Sequence, residues 1–344
     1  MTIKIKYLCN VIRNIKHKMD WFGWGNGKTQ NQYNKTNKNA TRKWRPMNCS
    51  PAIKKYRIIK ESCLTHKVLQ RLKTEYNKDH PENPIRVSEN DAIWHELKGR
   101  LGNCDKEDCW LKLIDDTVLR KKIDEYIFAP DHPPDWNENP TEWLSNFDIL
   151  EVLQQYEEAH PNFKFIGPSP IDWYYKPAKK SGKCVTQEMC DFDLGVLQKQ
   201  GKTKIGIVFN LDKHNESGSH WVSLFIDLEN PFIMFFDSAG DIIPDEILRF
   251  INEKVIPQGE TNGIPFPPFK IDRNPKEHQF QNTECGMYSL YFIIAMLTGE
   301  TGKTNSRGMP VILKTPREKM AFFRGKRIPD KFVFDYRKKY FNDG

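Results

Sequence analysis

Residues Cys285–Leu297 read Cys-Gly-Met-Tyr-Ser-Leu-Tyr-Phe-Ile-Ile-Ala-Met-Leu, with no charge anywhere in the run. Wound as a helix, this run is apolar on every face, so it must lie inside a core with other layers around it. It is too short to cross a membrane, which takes about 20 residues, and no other stretch of about 18 apolar residues occurs, so no membrane span is expected. The layers that could enclose it are legible nearby. Thr203–Leu211, His220–Leu228 and Pro231–Asp237 are apolar and rich in β-branched or aromatic residues, the pattern of buried strands, and the last two are joined at Glu229-Asn230. Phe269–Arg273 reads as a short strand and Asp245–Val255 as an amphipathic helix. A longer helix is expected from Thr141 to about Glu158, with Trp143, Phe147, Ile149, Leu150, Leu153 and Tyr156 as its apolar set. Strands and helices in this order make an α+β domain over residues 140–344.

The preceding part differs. Leu64, Val68, Leu69 and Leu72 recur at helical spacing after Ser62, which is placed to cap them, and two further helices are expected over Ala92–Leu101 and Val118–Ile127. This is a small helical unit of residues 48–128, and no residue in it proposes chemistry. The Pro-rich stretch 129–139, with Pro130, Pro133 and Pro134, marks a linker. Residues 1–47 read as an arm. Residues 1–60 hold fifteen Lys or Arg and a single acid, Asp20, for a net +14, whereas the chain as a whole is only +8. Such asymmetry points to an arm that touches polyanions: nucleic acid, a membrane surface or an acidic partner. The Asn- and Lys-rich run within it cannot bury enough surface to order itself. Trp21, Phe22, Trp24 and Trp44 interrupt the arm and read as hydrophobic tethers or as platforms for stacked bases.

The N-terminal stretch lacks the continuous apolar segment of a secretory signal, and eight cysteines are too few for a disulfide scaffold, so a reducing compartment is expected. Cys104–Cys109 and Cys184–Cys190 lack the C-x2-C spacing of a zinc knuckle, and neither a metal nor another cofactor is expected.

A thiol nucleophile needs a helix N-terminus, an adjacent imidazole and a third group to fix that imidazole. Cys285 opens the apolar helix and is followed by Gly286, where a missing side chain lets a backbone approach closely. His220 begins one strand of the apparent hairpin and Asp237 ends the next. Neighbouring strands lie about 5 Å apart, so these two side chains can meet. The polar run His278–Glu284 offers donors for an oxyanion. Each piece has a bland reading on its own: a buried small hydrophobe at Cys285, a satisfied histidine at His220, a strand-ending turn at Asp237. Their conjunction carries the inference.

Four motifs resemble the adenain and SUMO-protease superfamily of cysteine peptidases. They are Gly218-Ser-His220-Trp221-Val-Ser-Leu224, Phe235-Phe-Asp237-Ser-Ala-Gly240, Gln279-Phe-Gln-Asn-Thr-Glu284-Cys285-Gly286, and Trp143-Leu-Ser-Asn146. The resemblance implies a papain-like core, a central mixed sheet flanked by helices, with the helical unit as an N-terminal extension. It implies Cys285 as nucleophile, His220 as general base and acid, Asp237 as its orienting partner, and Gln279 as oxyanion donor, with Gln281 and Asn282 as rivals. Trp221, Trp143, Asn146 and Gly286 would bind substrate, Trp221 walling a narrow channel for a Gly-Gly end or else packing in the core. Glu284 stands where cellular members usually carry Asp, and Asn146 replaces an acid. These departures and the basic extension look like the polyprotein-processing proteases of large DNA viruses, the African swine fever virus type. That type is expected to cleave structural precursors after Gly-Gly-X during virion assembly, in the virion or the viral factory of the host cytoplasm. Two other expectations are a ubiquitin- or SUMO-like deconjugating isopeptidase and a nucleic-acid-binding scaffold with a vestigial site.

Overall fold

The computed structural model describes residues 43–178, 182–263 and 269–343. Most of the arm, including Trp21, Phe22, Trp24 and the Asn- and Lys-rich run up to residue 42, lies outside the described residues. The helices are α1 His66–Asp79, α2 Asn90–Arg100, α3 Thr117–Ile127, α4 Asn146–Ala159, α5 Gln187–Cys190, α6 Leu194–Lys199, α7 Asp245–Phe250, α8 Ile256–Thr261, α9 Cys285–Thr298, α10 Pro316–Arg324, α11 Asp330–Phe334 and α12 Arg337–Tyr340. The strands are β1 Phe163–Pro170, β2 Lys204–Asn210, β3 Trp221–Asp227, β4 Phe232–Phe236 and β5 Lys270–Arg273, with a hairpin of β6 Glu300–Thr304 and β7 Pro310–Ile312. Among the described residues no helix is long and apolar enough to cross a membrane.

β1 to β5 form one sheet in chain order. The β1–β2 and β4–β5 pairs are parallel, and β2–β3 and β3–β4 are antiparallel, so the sheet is mixed. Every residue of β3 and β4 is buried. Such strands show no alternation in sequence because both faces are covered. α9 lies on one face, where Met287, Tyr291 and Phe292 join Phe163, Phe225 and Phe236 in a core. The other face packs Ile205, Ile207 and Phe235 against Phe250 and Ile251, and Ile251–Val255 is a π-helical turn that links α7 towards α8. The expected α+β fold, a mixed sheet flanked by helices, is the fold found.

Differences from the sequence reading are local. Thr65, not Ser62, caps α1 by accepting from the Val68 N–H, while the Ser62 hydroxyl accepts from Leu64 N–H in the turn before it. α4 begins at Asn146 rather than Thr141 because Ser145 and Asp148 form a reciprocal capping box. The helical group around α1, α2 and α3 has its own core, with Leu69, Leu72, Ile93 and Trp110 fully buried or nearly so. Trp44 takes the tethering role: its ring sits 5.7 Å from Trp94 and 5.5 Å from Trp110. The Pro-rich stretch is closely held, since Ala129 N–H donates to Asn48 O, Asp131 bridges to Asn342, and Trp136 is buried.

The cysteines depart from the reduced state expected of them. Cys49–Cys63, Cys104–Cys109 and Cys184–Cys190 are disulfide-bonded, with Cα separations of 5.1, 5.6 and 6.4 Å. Each pair is close in sequence, and the turn between its members brings the thiols within bonding range. Cys285 is the free cysteine of the described residues.

Candidate active site

The site lies where β3, β4 and α9 meet. β3 and β4 pair with Ser223 opposite Phe236, so His220 and Asp237 extend from the same end of the hairpin. His220 Nε2 and Asp237 Oδ1 are 2.6 Å apart. Asp237 is 1% exposed, and the same oxygen also accepts from the Ala239 N–H. Asn274, fully buried, accepts from the Asp237 N–H and donates to the Asp237 carbonyl, so the backbone that carries the carboxylate is clamped from both sides. Gly240 ends the turn at φ 82°, and a Cβ there would lie 2.7 Å from the Glu277 nitrogen. This glycine lets the turn press against the segment that leads to Cys285.

Cys285 is the first residue of α9 and is 2% exposed. A helix N-terminus favours negative charge through its unpaired amides. His220 lies between Asp237 and Cys285, and both act on its charge. With Nε2 on the carboxylate, Nδ1 is the nitrogen left for the thiol. Burial presses the His220 pKa downward, but the hydrogen bonds and charges of Asp237 and Cys285 together outweigh it and push it up from 6.5 to about 10. The imidazole therefore sits between two acceptors that favour its protonated form.

Gln279 is half-buried, and the Ser238 hydroxyl donates to its Oε1 at 2.7 Å. That bond fixes which end of the amide is the donor. Gln279 Nε2 donates to Gln281 O, so Gln281 enters this network through its backbone, and its side chain is exposed, as is that of Asn282. The loop is pinned from below by His278, which is fully buried. Its Nδ1 accepts from Ile328 N–H at 3.0 Å, which leaves Nε2 as the donor to Phe323 O at 2.8 Å. Burial, with nearby Lys276, Arg327 and Lys303, pushes this imidazole below its ordinary value.

Trp221 is 8% exposed, and its Nε1 donates to Leu144 O at 3.1 Å. A Cβ on Gly286 would meet Leu144 Cβ at 3.0 Å and Trp221 Cδ1 at 3.3 Å. Gly286 thus serves the packing of Trp221 and Leu144 onto the start of α9. Trp143 is 39% exposed beside this contact, and Asn146 is the first residue of α4. The structure brings His220, Asp237, Cys285, Gly286 and Trp221 together, with Gln279 on the adjoining loop. In the Trp143–Asn146 segment, the residue that touches them is Leu144. Leu144 and Ser238 stand inside the quoted motifs and His278 inside the polar run before Cys285, but nothing in the sequence assigned them their observed roles. Asn274 carried no signal.

A mixed sheet that sets Cys285, His220 and Asp237 at the start of a buried helix is an arrangement that resembles the Ulp1-type cysteine peptidases. Residues 202–331 match the model of the Ulp1 protease family, C-terminal catalytic domain. The chain is 35% identical over 167 residues to a protein of Acanthamoeba polyphaga mimivirus named as a thiol protease, covering 46% of this chain and 49% of that protein. It therefore spans about half the length of that relative. It is 28% identical over 262 residues to a cysteine protease of African swine fever virus, covering 69% of this chain and 82% of the relative. The crystal structure of an African swine fever virus protease shares the fold, with a TM-score of 0.56, 22% identity, and coverage of 88% of this chain and 97% of that one.

Proposed function

We propose that the chain is a cysteine endopeptidase that cleaves after Gly-Gly-type sites in viral structural precursors during virion maturation. The observation that carries the reading is His220 held 2.6 Å from a buried Asp237, with Cys285 at a helix N-terminus beside it. In this reading the Cys285 thiolate attacks the scissile carbonyl and forms a tetrahedral intermediate. Protonated His220 then gives its proton to the leaving amine, and a thioester remains on Cys285. Water adds to the thioester as His220 takes a proton from it, and the released thiolate regains its imidazolium partner. Asp237 holds the imidazole in place throughout. The second N–H of Gln279 and the Cys285 N–H serve the oxyanion. Ser238 supports Gln279 over Gln281 and Asn282 because it holds that amide's oxygen and leaves its nitrogen as the donor end.

A Cβ on Gly286, next to Cys285, would crowd Leu144 and Trp221; a site so tight suits residues without side chains, which supports Gly-Gly as the acyl portion. The mimivirus and swine fever virus relatives support a viral setting, in the virion or the cytoplasmic factory. A second reading, a deconjugating isopeptidase, is favoured by the family match and by the name SUMO-1 cysteine protease given to a swine fever virus relative. Two incubations separate them. The chain is mixed with precursor proteins, and fragments are read by N-terminal sequencing, with Cys285→Ala as control. It is then offered a ubiquitin-like aldehyde. Fragments beginning after Gly-Gly, absent with Cys285→Ala, support the endopeptidase. Adduct formation without fragments replaces it with the isopeptidase. The basic arm is proposed to bind nucleic acid, and retention at about 0.1 M salt that survives deletion of residues 1–47 would remove that role.

A further inference from the structure

Cys285 is preceded by Glu284, a carboxylate 1% exposed. Its partner is Arg337 in α12, 4% exposed, bound in a fork: Nε to Oε2 at 3.1 Å and Nη2 to Oε1 at 3.0 Å. The remaining donors of the guanidinium go to backbone. Nη1 donates to Pro140 O at 3.2 Å and Glu142 O at 2.8 Å, and Nη2 to Thr283 O at 3.4 Å. One face of the group lies 4.2 Å from the Trp136 ring. All five N–H donors thus have acceptors, and these acceptors fall on two separate strands of chain. Thr283 and Glu284 lead directly into the nucleophile. Pro140 and Glu142 lead into Trp143 and Leu144, and Leu144 bears on Gly286 and accepts from Trp221.

We propose that Arg337 is a positioning residue for Cys285: it sets the spacing between the segment that delivers the thiol and the wall opposite it. A lysine cannot replace it, because an ammonium has neither the planar fork nor five donors. The same geometry gives a reason for glutamate at position 284. The carboxylate must reach α12, and a shorter aspartate would retract it by one methylene. Arg337 lies beyond the stretch 202–331 that matches the shared catalytic domain, so this tie is supplied by the chain's own C-terminal segment. The inference rests on the peptidase reading, and its test keeps the two apart.

The experiment measures alkylation of Cys285 by iodoacetamide against pH, together with kcat and KM on a Gly-Gly-X peptide, for the full chain and for Arg337→Lys and Glu284→Gln. Thermal unfolding reports the folded fraction of each. In the unaltered chain the peptide should be cleaved, and cleavage should be lost in Cys285→Ala. If the unaltered chain does not cleave it, the peptidase reading falls and the inference falls with it. Given cleavage, folded Arg337→Lys should lose roughly 10²-fold in kcat/KM, since a misplacement of about 1 Å costs that much, and its alkylation profile should depart from that of the unaltered chain. Glu284→Gln, which keeps the shape and removes the charge, should lie between the two. Variants that unfold at lower temperature but keep the alkylation profile and kcat/KM within about twofold overturn the positioning role alone. Should Arg337→Lys fail to fold, Glu284→Gln decides by the same criterion.

Discussion

At the scale of single residues the chemistry is set by who holds whom. His220 is raised to about 10 because Asp237 and Cys285 both favour its charged form against the penalty of burial. The sign follows. Its folded pKa lies above the unfolded value of 6.5, so the stabilisation it brings is complete below pH 6.5 and is lost as the pH rises through about 10. On the peptidase reading the pair works while His220 keeps its proton, so kcat/KM on a peptide should hold level and fall on the alkaline side near pH 10. Asp237→Asn should bring that fall to lower pH, and an unchanged alkaline limb would show that Asp237 does not hold the imidazolium. Ser238 acts one step further out. Ser238→Ala removes the hydroxyl that orients Gln279, and kcat should drop about tenfold with KM little changed, on the order of one neutral hydrogen bond. Gln279→Ala should cost more, about 10²-fold to 10³-fold, as the loss of an oxyanion donor does. If the serine variant matched the unaltered chain, the amide would owe its orientation to something else. The His, Asp and Cys positions were legible because each sits at the end of a strongly apolar element. Ser238, Asn274 and Arg337 were not, because their roles depend on contacts 41, 37 and 53 residues away in sequence.

At the scale of elements, α9, β2, β3 and β4 were legible to within a residue or two because both faces of the sheet are covered and the strands read as continuous apolar runs. β1 was not, since Phe163–Pro170 holds a glycine and two prolines and obtains its place by parallel pairing to β2. The β6–β7 hairpin, mostly exposed, gave no apolar pattern at all. The start of α4 shows how a polar detail overrides periodicity. Trp143 fits the apolar stripe of that helix, yet Ser145 accepts from Asp148 N–H and Asp148 accepts from Ser145 N–H, and the helix begins there. Residues 143 and 144 are thereby released from the helix, which leaves Leu144 O free to accept from Trp221. Ser145→Ala should cost about 1 kcal/mol in urea unfolding, a usual value for a lost N-cap. On the peptidase reading it should also raise KM for a peptide, because the wall loses its anchor. A stability loss with KM unchanged would confine the cap to folding.

At the scale of the whole described chain, three cores must act as one. The helical group has its own core, and the sheet has one on each face. A pair of asparagines spans the join. Asn48 N–H donates to Asn342 Oδ1 at 2.6 Å, Asn342 Nδ2 donates to Asn48 O and Ala129 O at 3.1 and 2.8 Å, and Asn48 Nδ2 donates to Lys338 O and Phe341 O. Asn342 is 4% exposed, so these bonds have no ready substitute in water. They anchor the segment that also carries Arg337, which puts the helical group and the Cys285 loop on the two ends of one short helix, α12. Asn342→Ala leaves the Asn48 N–H and the Ala129 carbonyl without their partner, and buried groups so stranded cost about 1–3 kcal/mol. The loss should appear in a particular way. With 5-fluorotryptophan incorporated, the fluorine resonances of Trp94 and Trp110 report on the helical core, whereas far-ultraviolet dichroism reports on the whole chain. In the unaltered protein both signals should change together on urea titration, and in Asn342→Ala the Trp94 and Trp110 resonances should change first. If both signals still move together and the midpoint shifts by less than the equivalent of about 0.5 kcal/mol, the join is held by the apolar contacts of Trp136 and Phe341 and not by the asparagine clasp.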